Sequence, residues 1–151
     1  MSTETLRRIL LVEDELDIQM VARMVLEDLG GFEVEVASSG HEALEKAPAL
    51  CPDLILLDVM MPGLDGPETL EALSEIPAVA ETPVVFVTAK AQTGEVAEYR
   101  RSRVVDVITK PFDPMALADL VREIWNRYQS GRSLAPKSNQ PESNEPGGSS
   151  R

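Results

Sequence analysis

Hydrophobic residues follow two rhythms along this chain. Short, continuous apolar runs occur at Arg8-Ile-Leu-Leu-Val12, Leu54-Ile-Leu-Leu57 and Val84-Val-Phe-Val87, with broken versions at Phe32–Val36 and Val104–Ile108. Runs that short and that apolar predict strands buried on both faces of a parallel sheet. Between them the period lengthens. Ile18, Val21, Ala22, Val25 and Leu29 recur at helical spacing over 16–29, and Gly30-Gly31 supplies the stop. Met20 and Met24 fall in the same stretch and are expected to fill gaps in the core. Ser39 with Glu42 three residues on predicts a capping box opening a helix through Ala47. Pro67 suits the first position of a helix running to Ser74. A polar helix over 92–101 is weakened at Gly94 by about 1 kcal/mol relative to alanine. Asp113-Pro114 opens the last helix, whose stripe is Leu117, Leu120, Val121, Ile124 and Tyr128. Trp125 adjoins that stripe, and burial in the core or at a partner surface are both open.

Five strands alternating strictly with five helices predict an α/β protein with a doubly wound (βα)5 parallel sheet. In the flavodoxin-like strand order 2-1-3-4-5, the first and third strands are neighbours at the switch point, where open sheets of this kind place their sites. Four strands end on residues with chemistry: Asp14, Asp58, Thr88 and Lys110. An acid alone could simply mark the end of a strand. Four such placements on one sheet edge favour a built site. Clustered carboxylates repel and call for a cation, and hard oxygen ligands suit Mg2+. A carboxylate can also act as a nucleophile and form an aspartyl phosphate. A cation and Lys110 would then neutralise the phosphoryl oxygens, and Thr88 would supply a hydrogen-bonding hydroxyl.

Composition narrows the classes. A chain of 151 residues with 43% hydrophobic content is expected to form one domain with a real core. No apolar run approaches a membrane span, and the N-terminus has no leader pattern, so a cytoplasmic location is expected. The net charge of −12 disfavours nucleic acid and anionic membranes as partners. Cys51 is the only cysteine, so no internal disulfide is expected, and His41 is expected to face solvent. Residues 1–7 are read as a flexible N-terminus and 8–128 as the domain. Residues 129–151, rich in Ser, Pro, Gly and Asn, are read as a disordered polar tail.

Residues 8–128 resemble a response-regulator receiver domain, the phosphoacceptor half of two-component signalling. The resemblance rests on Val12-Glu13-Asp14-Glu15, Asp58-Val-Met-Met-Pro62 with Gly66, Thr88-Ala89-Lys90 and Lys110-Pro111-Phe112, in order and at strand ends. It implies that Asp58 accepts a phosphoryl group from a histidine kinase or histidine phosphotransfer protein. It implies Mg2+ held by Glu13, Asp14, Asp58 and the Met60 backbone carbonyl. Thr88, the Ala89 backbone and Lys110 would bind the phosphoryl group, and Lys110-Pro111 would be a cis peptide. Such a protein is a signalling phosphoacceptor that catalyses its own phosphotransfer and slow dephosphorylation, not an enzyme acting on a separate substrate. Its target is expected at the surface of helix 92–101, strand 104–108 and helix 114–128, bordered by Arg100, Arg101 and Arg103. With so short and polar a tail, a single-domain regulator is expected.

The chain departs from the family at two places. Arg103 and Val104 stand where Gly-Ala is usual, and Val107 stands at the aromatic switch position three residues before the lysine. The β-branched valine has no ring to swing, so any switch is expected in the loop after Thr88 and in helix 92–101. Two rivals remain. A haloacid-dehalogenase-like phosphatase also uses an aspartate nucleophile with Mg2+, but Asp58-Val59-Met60 lacks its second acid and no cap insertion is present. A docking module that works without phosphate is the other.

Overall fold

A computed structural model describes residues 5–89 and 103–132. Its strands are β1 (Arg8–Val12), β2 (Glu33–Ala37), β3 (Leu54–Asp58), β4 (Val84–Thr88) and β5 (Val104–Thr109). Its helices are α1 (Leu16–Asp28), α2 (Gly40–Leu50), α3 (Gly66–Leu73) and α4 (Pro114–Arg132). All pairings are parallel and the order is β2-β1-β3-β4-β5. The expected doubly wound sheet is therefore what forms. The helix expected over 92–101 lies outside the described residues.

The continuous apolar runs are explained by a core on each face of the sheet. Ile9, Leu11, Leu54, Leu56, Val85 and Val87 turn towards α1 and α4, where they meet Ala22, Leu26, Val121 and Trp125. Leu10, Val12, Ile55, Leu57, Val84 and Phe86 turn the other way, towards Ala43, Ala47, Leu70 and Leu73. Alternate residues of one strand thus enter different cores, and neither set can be polar. Burying each such side chain contributes about 1.5–3 kcal/mol. Trp125 is 4% exposed, which places it in the core.

Several helix details differ from the expected pattern. Met20 and Met24 are 69% and 54% exposed, and Leu29 is exposed too, so none of them fills the core. The buried face of α1 is instead Gln19, Ala22, Val25 and Leu26, because the helix is turned to bring Gln19 inward. Gly31 takes φ 73°, and its N–H donates to the Glu27 carbonyl at 3.0 Å, closing α1 as expected of a glycine. Ser39 caps α2 by accepting the Glu42 N–H at 3.0 Å, but the Glu42 carboxylate accepts from Ser38 rather than from Ser39, so the box is shifted by one residue. Helix α2 runs through Pro48 to Leu50. Proline near a helix end removes only one hydrogen bond, and left-handed Cys51 (φ 48°) then closes the turn on the Ala47 carbonyl. The full capping box is at Asp65 and Glu68, opening α3. Helix α4 continues past Tyr128 to Arg132 and buries Gln129. The apolar stripe predicts an end near Tyr128, and the helix is four residues longer because a polar Gln-Ser-Gly-Arg run carries no apolar period to follow.

Arg103, expected to border the target surface, is half-buried and engaged within the domain itself. Its Nη1 donates to the carbonyls of Val79 at 2.6 Å and Thr82 at 2.5 Å, tying the segment before β4 to the start of β5. Burial pulls its pKa below that of a free guanidinium. Arg127 is engaged as well, by Asp106 at 3.2 Å.

Candidate functional site

Strand register brings the candidate residues to one edge. Val12 lies beside Leu57, so the residues just past them, Glu13-Asp14 and Asp58, meet. Asp58 lies beside Val87, and Thr88 beside Thr109, so Thr88 and Lys110 complete the edge. The backbone fixes this arrangement further. The Val59 N–H donates to the Val87 carbonyl at 3.0 Å, and the Lys110 N–H to the Thr88 carbonyl at 2.8 Å. The Lys110-Pro111 peptide is cis. Gly66 packs on the backbone behind Asp58. A β-carbon there would stand 2.8 Å from the Asp58 carbonyl oxygen and 2.7 Å from the Val59 α-carbon, so only glycine fits.

Glu13, Asp14 and Asp58 each offer a carboxylate oxygen within 4.8 Å of the others. Glu13 and Asp58 are buried, at 1% and 2% exposure, and Asp14 is half-buried. Lys110 Nζ stands between two of them, 3.0 Å from Glu13 Oε1 and 3.3 Å from Asp58 Oδ2. The Met60 N–H donates to Asp58 Oδ1 at 3.2 Å, and the Glu15 N–H to Glu13 Oε2 at 3.1 Å. Three close carboxylates against one ammonium leave an excess of negative charge, and a hard divalent cation suits that donor set. Thr88 is buried at the end of β4, Ala89 is exposed just beyond it, and Val107 is half-buried on the core face shared with Phe86.

The electrostatics follow from this crowding. Burial lifts the Asp58 pKa, and the Glu13 charge lifts it further. Lys110 and the Met60 N–H offset only part, so it rises from 3.8 to about 7. For Lys110, burial opposes the charge, but the hydrogen bond and charge of Glu13 and the charge of Asp58 outweigh it and raise the ammonium pKa. A raised carboxylate pKa means that the folded state prefers the protonated form. Relative to Asp58→Asn, the wild type should therefore lose stability as pH rises from about 4 to about 7 and level off above that. Paired denaturation series across that range, without divalent cations, check it. A difference that stays flat through the window would contradict the coupling.

Beside this edge a cleft of about 370 Å³ opens between α1 and the start of α4. Ile18, Val21, Ala89 and Phe112 line it, with Asp17 and Lys110 as polar ends. Two features of the site escaped the sequence: the ion pair of Glu13 with Lys110, and the buried amide of Gln19. The second had a signal, since a glutamine interrupts an otherwise apolar helix face.

A family model described as the response regulator receiver domain matches residues 9–122. Response regulator Rre1 of Synechocystis is 34% identical over 130 residues, covering 86% of this chain and 56% of that protein. Response regulator PleD of Caulobacter vibrioides is 36% identical, covering 84% of this chain and 30% of its own length. The chain thus spans little more than half of Rre1 and under a third of PleD. Among solved structures, chemotaxis protein CheY4 of Vibrio cholerae superposes with a TM-score of 0.73 at 29% identity, covering 80% of this chain and 99% of that one. The N-terminal domain of a response regulator receiver protein from Methanoculleus marisnigri gives 0.66 at 38% identity, covering 88% and 100%.

Proposed function

The chain belongs to the response regulator receiver domain family, and on that premise we propose that it accepts a phosphoryl group on Asp58 from a histidine kinase or a histidine phosphotransfer protein. One observation carries this reading most strongly. Lys110 Nζ bridges Glu13 and Asp58 at 3.0 and 3.3 Å while Asp14 completes a carboxylate cluster beside them. That arrangement holds a buried nucleophile next to a fixed positive charge.

In the proposed step, an Asp58 Oδ lone pair attacks phosphorus. The new O–P bond forms as the donor's N–P bond breaks, and the pair returns to the imidazole nitrogen. Asp58 must be ionised to attack, and Lys110, already paired to it, supports that form. Lys110 then faces the phosphoryl oxygens, with Thr88 and the Ala89 backbone on their other side. Glu13, Asp14, Asp58 and the Met60 carbonyl would hold Mg2+, which supplies further positive charge against those oxygens. The Val107 side chain is too small for a ring-flip switch, so the response is assigned to the segment after Thr88. Incubation with acetyl phosphate and Mg2+ tests the reading. A lasting gain of one phosphoryl group is expected. Rapid turnover of donor without a bound product would favour a phosphatase, and no reaction would favour a phosphate-independent docking module.

Domain extent is part of the same reading. We assign the receiver unit to residues 8–132, extending the 8–128 boundary by the four residues that complete α4, and treat 133–151 as dispensable for phosphorylation. A chain ending at Arg132 should stay within about 0.5 kcal/mol of the full protein, as for changes that leave the packed core alone. A chain ending at Tyr128 loses buried Gln129 and should be less stable than either. Urea melts of the three chains check it, and equal stability for the two shortened forms would contradict the boundary.

A further inference from the structure

Gln19 is the one polar residue on the buried face of α1, at 9% exposure. Its Nε2 donates to the Glu13 carbonyl at 2.5 Å and to Ser38 Oγ at 3.0 Å, so both amide hydrogens are used. The Glu13 carbonyl belongs to the peptide joining Glu13 to Asp14. The same residue is pinned from its other end, where the Glu13 N–H donates to the Ala37 carbonyl at 3.0 Å. Its carboxylate is held in turn by Lys110 on one oxygen and by the Glu15 N–H on the other. Rotation of the Glu13–Asp14 peptide plane would change the angle between two neighbouring acid side chains. Gln19 is the side chain that holds that plane.

We propose that Gln19 is a positioning residue for the cation site: by fixing the peptide between Glu13 and Asp14, it sets the spacing of their carboxylates for a divalent ion. This rests on the Mg2+ reading of the cluster above. Groups that orient the ligands of a metal site from behind commonly tune affinity by 10–100-fold, and a backbone carbonyl held by a side-chain amide acts in that way. The bond to Ser38 serves another purpose. It ties α1 to the loop before α2, where the Ser38 N–H donates to Glu42 Oε1 at 2.6 Å.

Three variants of the full chain separate the two bonds. Gln19→Met keeps length and helix preference while removing both donors, and Gln19→Leu does the same with a different shape. Ser38→Ala removes only the second acceptor. Mg2+ titration by calorimetry should show an affinity loss of about tenfold for both Gln19 variants and less than about twofold for Ser38→Ala. In acetyl phosphate labelling, the Mg2+ concentration for half-maximal rate should rise with the dissociation constant, while the rate at saturating Mg2+ stays within about twofold of wild type. The Glu15 amide resonance should shift in the Gln19 variants, because its partner carboxylate has moved. Unchanged Mg2+ affinity in a folded Gln19 variant would overturn the proposal, and so would an equal loss in Ser38→Ala, which would make the effect one of loop stability. A wild-type protein that binds no Mg2+ would instead overturn the reading of the cluster itself.

Discussion

Asp58→Asn takes up no phosphoryl group from acetyl phosphate or from a phosphorylated histidine donor, and at pH 8 it is more stable than the wild type. The first result follows from the loss of the nucleophile: an amide oxygen cannot attack phosphorus and retain the group as an acyl phosphate. The second follows from burial. Above pH 7 the wild type carries a charged Asp58 at 2% exposure beside the Glu13 carboxylate, a state disfavoured enough to raise its pKa to about 7. Asparagine has the same shape without the charge, and its amide can donate towards Glu13. A gain on the order of 2 kcal/mol is expected, below the ceiling implied by the full pKa shift because the Lys110 pairing is also lost. Intact-mass measurement and urea denaturation read the two effects separately. Normal phosphoryl uptake in the variant would remove Asp58 from its assigned role whatever its stability.

Lys110→Met should lose both stability and phosphorylation, by the opposite logic. The ammonium is the positive charge that links Glu13 and Asp58, and methionine keeps most of the chain's bulk without it. Removing one partner of a buried ion pair leaves uncompensated charge, typically at a cost of about 3–5 kcal/mol. The loss should be smaller at pH 6 than at pH 8, because Asp58 can take up a proton as its pKa rises further without Lys110. Labelling at saturating Mg2+ should slow by about 10²–10³-fold, the usual effect of removing one charge-stabilising group from a transition state. A variant that labels at the wild-type rate would show that Lys110 holds the apo site together but does not face the transferred group.

Much of this was legible in the sequence because a parallel sheet leaves a strong trace. β1, β3 and β4 are buried on both faces, so their apolar runs admit little else, and the chemistry-bearing residues stand out as the first polar positions after them. The misplacements have local causes. The second helix, expected to end at Ala47, continues to Leu50 because α2 absorbs Pro48 near its end. Met20 and Met24 read as core because methionine readily fills gaps beside an apolar stripe, while the true buried face includes Gln19, whose amide holds the Glu13 carbonyl. Arg103 reads as a surface charge because nothing in its neighbourhood announces the Val79 and Thr82 carbonyls that it caps. The Glu13–Lys110 pair joins residues almost a hundred positions apart and no local pattern encodes it. The helix expected over 92–101, to which the switching response was assigned, falls outside the described residues.

Borohydride trapping decides whether phosphate is carried as an acyl phosphate on Asp58. Protein labelled with acetyl phosphate and Mg2+ is treated with borohydride, which reduces an acyl phosphate to the alcohol and releases phosphate. Peptide mass spectrometry should then find homoserine at position 58 and at no other aspartate. Homoserine at Asp14 or elsewhere, or a phosphoryl group that survives the treatment on a serine, threonine or histidine, would contradict the account.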